Sequence, residues 1–120
     1  MRELRKVAAM VARALGFRAE GDLPAARAEI DEAYSTLLGP QSDLLRMLDP
    51  PSAARLIGNS KKLVALARLT AADAMLAGDA GNQQTQKQLY DRARTLATEA
   101  VKLDPVDENA KAVIDELRGK

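Results

Sequence analysis

The stretch ALGFRAEGDLPAARAEIDEA, residues 14–33, contains the pattern that decides the fold of this chain. Small and large residues alternate in it at helical spacing: Ala14, Phe17, Ala26, Ile30 and Ala33. The series is interrupted at Gly21-Asp22, where glycine accepts the conformation that ends a helix and aspartate can cap the next one. Small residues allow two antiparallel helices to approach closely, and the larger ones fill the space beside them. The stretch therefore predicts a helical hairpin.

A related series lies near the end of the chain and consists of Ala93, Ala97 and Ala100, followed by Leu103-Asp104-Pro105. The alanines match the second helix of the first hairpin, and the Asp-Pro pair ends a helix. The distance from Ala26 to Ala93 is close to two periods of about 34 residues. Because Gly81 lies farther from Ala93 than Gly21 does from Ala26, we expect the second hairpin to carry an insertion in its turn. The glutamine-rich residues after Gly81 are either a loop or an exposed helical start.

Composition supports an all-α fold. The chain has 120 residues, which predicts one domain, and only 2% aromatic residues, so that its core must be aliphatic. Alanine and leucine favour helices, and runs of β-branched residues are absent. Glycine, proline and capping residues divide the chain into a first hairpin (1–39), an irregular helical connector (40–60), a second hairpin (61–104) and a C-terminal capping helix (105–120).

The quoted motifs resemble the tetratricopeptide repeat. Ala-Leu-Gly-Phe at residues 14–17, Gly21 and Ala26 look like one unit, and the ending Ala-Val-Lys-Leu-Asp-Pro at residues 100–105 is typical of the repeat. The connector does not match it, so the chain resembles a degenerate, bacterial-type member. The resemblance implies a right-handed stack of antiparallel hairpins, with five to seven helices, that serves as a non-catalytic protein–protein interaction or assembly module.

In that family the first helix of each hairpin lines a groove for the partner. The residues implied here are Ala8, Val11, Ala12 and Leu15 in the first unit and Arg68, Ala71, Ala72 and Met75 in the second. The Lys/Asn clamp by which some members hold a terminal carboxylate is absent. An apolar groove is costly to expose to water, so the connector, a second copy of the chain or an apolar helix of a partner must cover it. We expect the connector to fill it, with self-association as the next alternative.

The sequence argues against catalysis. It has no histidine and no cysteine, which removes the commonest general base, nucleophile and soft metal ligand, and it has no glycine-rich phosphate loop. We expect no catalytic, cofactor-binding or metal site; an enzyme that uses carboxylates with lysine or tyrosine is the third hypothesis. The absence of cysteine favours a cytoplasmic protein, and no apolar run approaches the ~20 residues that span a bilayer.

The competing function is binding of nucleic acid or an anionic surface through the basic side of the first helix. That side consists of Arg2, Arg5, Lys6, Arg13 and Arg18, and Arg27 can extend it. A net charge of +1 and the scarcity of aromatic side chains argue against nucleic acid. A protein partner or a second copy of the chain therefore remains the main expectation.

Overall fold

The computed structural model describes residues 2–120, and every regular element in that range is a helix. The prediction of an all-α chain is confirmed. The helices are α1 (Arg2–Ala19), α2 (Leu23–Leu38), a 3₁₀ turn (Gly39–Gln41), α3 (Ser42–Met47), α4 (Pro50–Ile57), α5 (Ser60–Asp79), α6 (Gln83–Leu103) and α7 (Glu108–Glu116).

The turns of the two hairpins have the same length and conformation. Residues 20–22 join α1 to α2, and residues 80–82 join α5 to α6. The backbone angle φ is +81° at Gly21 and +85° at Gly81, a region that residues with a Cβ atom rarely adopt. The insertion expected in the second turn is therefore wrong. The glutamine-rich residues extend a helix instead, because α6 begins at Gln83, directly after the turn.

Equivalent positions in the two hairpins are separated by 60 residues, as Gly21 and Gly81 are. Ala93 is thus the counterpart of Ala33, and the match of Ala93 with Ala26, made from the period of about 34 residues, is wrong. All three alanines are nevertheless fully buried, as is Ala97. The expectation that these alanines lie where helices touch is confirmed.

Helix α5 is the centre of the molecule. It packs against α1, α2, α6 and α7, and its leucines and alanines are buried on several sides. Helices α1, α5 and α7 lie side by side, and α2 and α6 pack behind them. Ile30, Leu63 and Leu96 are fully buried, and each contributes about 1.5–3 kcal/mol through burial.

Side chains bind both ends of the C-terminal helix α7: an aspartate caps its start, and an arginine donates a hydrogen bond at its end. The Asp107 carboxylate accepts hydrogen bonds from the backbone N–H of Asn109 and Ala110 at 2.9 and 3.3 Å. At the other end, the guanidinium of Arg94 on α6 donates to the carbonyl oxygen of Leu117 at 3.2 Å. These contacts satisfy helix-end groups that have no partner within the helix. The Arg94 contact also holds the end of α7 against α6.

Candidate functional site

The site defined by the sequence is a groove with walls from α1, α5 and α7. Seven of the eight residues implied by the resemblance line it, four from α5 and three from α1: Arg68, Ala71, Ala72, Met75, Ala8, Val11 and Leu15. Ala12 is exposed on α1 and does not line the groove. We call this feature the α1–α5–α7 groove.

The third wall was not anticipated from the sequence. Helix α7 contributes Asn109, Val113 and Glu116, and the residues on either side of it contribute Asp107 and Leu117. The sequence predicts only a capping helix over residues 105–120 and gives this helix no part in the groove. In the structure Val113 and Leu117 pack into the core and also border the groove.

The three helices run parallel along the groove. Leu4, Lys61 and Asp107, which lie at or near the starts of α1, α5 and α7, meet at one end, where the groove has a volume of about 480 Å³. The other end has a volume of about 200 Å³ and is lined by Leu15 and Met75, from the later parts of α1 and α5, and by Leu117, which directly follows α7. The larger end has the volume typical of small ligand sites, and its lining is mostly apolar.

The charged residues are concentrated at the wider end. Arg5, Lys61 and Arg68 are on the rim there, with Asp107 as the acidic residue of that lining. Toward the narrower end, Glu116 accepts hydrogen bonds from Nη1 of Arg68 at 3.1 and 3.3 Å. The groove thus combines an apolar floor with a rim that is cationic at one end.

The connector does not fill this groove, contrary to the sequence-based expectation. Helix α3 packs on α2, and α4 packs mainly on α6. The guanidinium of Arg92 on α6 donates to the carbonyl oxygens of Leu48 at 2.6 Å and Leu45 at 2.9 Å, which holds the end of α3. Burial lowers the pKa of Arg92. The connector is held on the side of α2 and α6 because the carbonyl groups at the end of α3 accept hydrogen bonds from the partly buried Arg92 there.

Beneath the connector lies a buried polar cluster that the sequence did not reveal. The side chain of Asp73 on α5 accepts hydrogen bonds from the Tyr34 hydroxyl at 2.7 Å and from Arg27 at 2.8 Å. Arg46 on α3 lies 3.8 Å from Asp73 and its guanidinium stacks 3.8 Å from the centre of the Tyr34 ring. Asp73 is only 5% exposed, so its charge depends on these partners.

The pKa values in this cluster follow from burial and from Asp73. Burial raises the pKa of Tyr34, and the Asp73 carboxylate raises it further. For Arg27, burial acts to lower the pKa, but the hydrogen bond to Asp73 and the nearby carboxylates outweigh it. Among residues 2–120, no buried side-chain nitrogen or oxygen lacks a hydrogen-bond partner. The cluster is therefore a satisfied network that ties α2, α3 and α5 together.

The basic side of the first helix is partly neutralised by ion pairs within the chain. Arg18 donates to Asp79 at 2.5 Å, a contact that raises the pKa of Arg18, and Arg13 lies 3.4 Å from Glu29. Arg27 is engaged with Asp73, as described above. Arg2, Arg5 and Lys6 have no ion-pair partner within residues 2–120. On this side of the first helix, the basic residues without an ion-pair partner in the described range therefore lie at the start of α1.

Comparison of the chain with protein-family models, with curated proteins and with solved structures finds no match. Within residues 2–120, no helix is long and apolar enough to cross a membrane. No group of three or more acidic side chains in the same range is arranged to hold a metal ion. The groove and the polar cluster are therefore interpreted from their own geometry.

Proposed function

We propose that the chain is a non-catalytic module for protein–protein interaction or assembly, built on a tetratricopeptide-like, right-handed stack of hairpins. The order of contacts supports such a stack: α1 packs on α2, α2 on α5, α5 on α6 and α6 on α7. The short three-residue turns and the buried alanines at helix contacts also fit this scaffold. We place this role in the cytoplasm, which the absence of cysteine favours.

The observation that carries the proposal is the apolar floor of the α1–α5–α7 groove. Val11, Leu15 and Met75 are partly exposed on this floor, although all three belong to the edge of the hydrophobic core. A continuous apolar surface rimmed by charged residues marks an interaction site in proteins. Docking of an apolar face of a partner removes this surface from water, which is favourable by about 25 cal/mol per Å².

Photo-crosslinking from two neighbouring alanines tests this docking face. Ala8 and Ala9 are both exposed on α1, but Ala8 lines the groove and Ala9 does not. A photoreactive amino acid introduced at position 8 is expected to form a crosslink in the source cell that the same amino acid at position 9 does not form. Equal crosslinking from both positions, or none from position 8, would contradict the assignment of the groove. A crosslink to a second copy of the chain would identify self-association.

Binding of an anionic surface or nucleic acid has less support. The pairing of Arg13 with Glu29 and of Arg18 with Asp79 removes charge from the side of α1 on which that function depends. A gel-shift experiment with random nucleic acid at low and high salt distinguishes the two functions, because phosphate contacts weaken steeply with salt. A salt-sensitive shift abolished by replacing Arg2, Arg5 and Lys6 would favour the alternative.

A further inference from the structure

Arg68 lies where the two ends of the α1–α5–α7 groove meet. Its side chain lines the wider end beside Val11 and also the narrower end beside Met75. It is the only cation shared by both linings. Any elongated ligand that lies along the groove therefore passes over this guanidinium.

The partner of Arg68 within the chain is a carboxylate that a ligand can replace. The Arg68 side chain is 43% exposed and the Glu116 side chain is 55% exposed, and their ion pair crosses from α5 to α7. Such exposed pairs are weak because water solvates both charges. The pair differs in this respect from Arg27 and Asp73, whose carboxylate is buried.

The charges around Arg68 favour a carboxylate on the ligand. At the wider end, Arg5 and Lys61 add positive charge, against the single carboxylate of Asp107. An acidic group over Arg68 thus enters a region that is positive on balance.

We propose that the groove binds an amphipathic helix of another protein that presents a carboxylate between apolar anchors, and that this carboxylate replaces Glu116 as the partner of Arg68. The proposal rests on the proposed function and names the chemistry of the partner. From Leu4 to Leu15 the α1 wall spans about 17 Å, or three helical turns, at ~1.5 Å per residue. Three turns supply apolar anchors at positions i, i+4 and i+7.

A displayed library of helices tests this inference even though the partner is unidentified. The library keeps leucine at i, i+4 and i+7 and randomises the positions between them. Selection on the wild-type chain is expected to enrich aspartate or glutamate at one randomised position. Parallel selection on Arg68→Gln is expected to lose that enrichment, whereas selection on Arg13→Gln, in which a similarly exposed ion pair outside the groove is broken, is expected to retain it.

Binding of a selected peptide, measured by fluorescence anisotropy, gives the second readout. Replacement of its acidic residue by glutamine is expected to weaken binding to the wild-type chain about tenfold, the effect of losing one charged hydrogen bond. The same replacement is expected to have no effect on binding to Arg68→Gln. Glu116→Gln is expected to bind the acidic peptide more tightly than wild type, because the internal competitor is gone, while Glu29→Gln is unchanged.

The outcomes separate this inference from the proposed function. Selected helices without acidic enrichment, no selected helix at all, or equal binding of the acidic and glutamine peptides would overturn the carboxylate exchange. A crosslink from position 8 to a different protein would leave the interaction role standing in each of these cases. A crosslink from position 8 to a second copy of the chain would overturn the inference, because the occupant would then be this chain. Circular dichroism of each variant establishes that it is folded.

Discussion

The hairpins α1–α2 and α5–α6 share a turn and differ in their surroundings. Position 13 of α1 is equivalent to position 73 of α5 by the shared 60-residue spacing. Arg13 is exposed and pairs at 3.4 Å with Glu29 of its own hairpin. Asp73 is buried and bonded to α2, because α2 and α3 cover that side of α5. The same place in a hairpin thus carries opposite charges according to what packs against it.

At two of the positions where the paired helices pack, both hairpins carry alanine. Ala14 and Ala74 are equivalent, as are Ala33 and Ala93, and all four are fully buried. Where the surroundings differ, the residues differ: Met10 in the first hairpin corresponds to Thr70 in the second. The comparison indicates that close packing within a hairpin selects alanine at these two positions, whereas the residue at position 10 or 70 follows the surroundings of each hairpin.

Removal of the charge at position 73 should have the largest effect on stability, and it tests the difference between the two hairpins at this position. Asp73→Ala is expected to lower the free energy of unfolding by about 2–4 kcal/mol, because Arg27 and the buried hydroxyl of Tyr34 each lose a hydrogen bond to a charged acceptor. Arg13→Ala, at the equivalent exposed position, should change it by only about 0.5 kcal/mol. Urea denaturation of both variants measures the difference, and similar losses would show that the Asp73 cluster does not stabilise the fold.

The shared alanine positions should respond alike. Ala33→Leu and Ala93→Leu are each expected to cost about 1–3 kcal/mol, because an added isobutyl group forces apart helices that touch at a fully buried residue. Ala28, which is exposed on α2, provides the control, and Ala28→Leu should leave the melting temperature nearly unchanged. Unchanged melting of both buried variants would be evidence against close contact at these crossings.

The contact of Tyr34 on α2 with Asp73 on α5 should also give stability an alkaline limit. Burial raises the pKa of Tyr34 against Asp73, so in the range above the unfolded pKa of about 10 the folded chain holds a proton that the unfolded chain has lost. Stability is then fully present below about pH 10 and falls as pH rises, by about 1.4 kcal/mol per pH unit. Denaturant midpoints from pH 8 to 11 should fall less steeply for Tyr34→Phe than for wild type. Parallel curves would exclude Tyr34 as the source.

The parts of the fold that can be predicted are those determined by residues close together in the sequence. The cap at Asp22, the turn glycines and the alanines at the helix crossings are read from residues a few positions apart, and all lie where expected. The sequence predicts too long a second turn, because matching Ala93 with Ala26 places the start of the following helix too late. The structural counterpart of Ala93 is Ala33. In an alanine-rich chain, alanine spacing alone does not fix the register between repeats.

Contacts between distant residues explain what was missed. In the sequence nothing distinguishes Asp73 from a charged residue on a solvent-exposed helix face. Its partners Arg27 and Tyr34 are 46 and 39 residues away. The place of the connector depends in the same way on Arg92, which lies in α6. Seven of the eight groove residues implied by the resemblance line the groove, because α1 and α5, the first helices of the two hairpins, form two of its walls. Ala12 is implied in the same way, but the lining of α1 is a narrower stripe.

The smallest effect on stability is expected from the N-cap residues of α2 and α6, and it tests whether the two turns are held in the same way. Asp22 and Asn82 each accept a hydrogen bond at 3.1 Å from the backbone N–H three residues later. Asp22→Ala and Asn82→Ala should each cost about 1 kcal/mol, as loss of an N-cap usually does. The exchanges Asp22→Asn and Asn82→Asp keep the acceptor oxygen and should change the urea midpoint much less. A large loss from either exchange would show that charge, rather than the shared hydrogen bond, holds that turn.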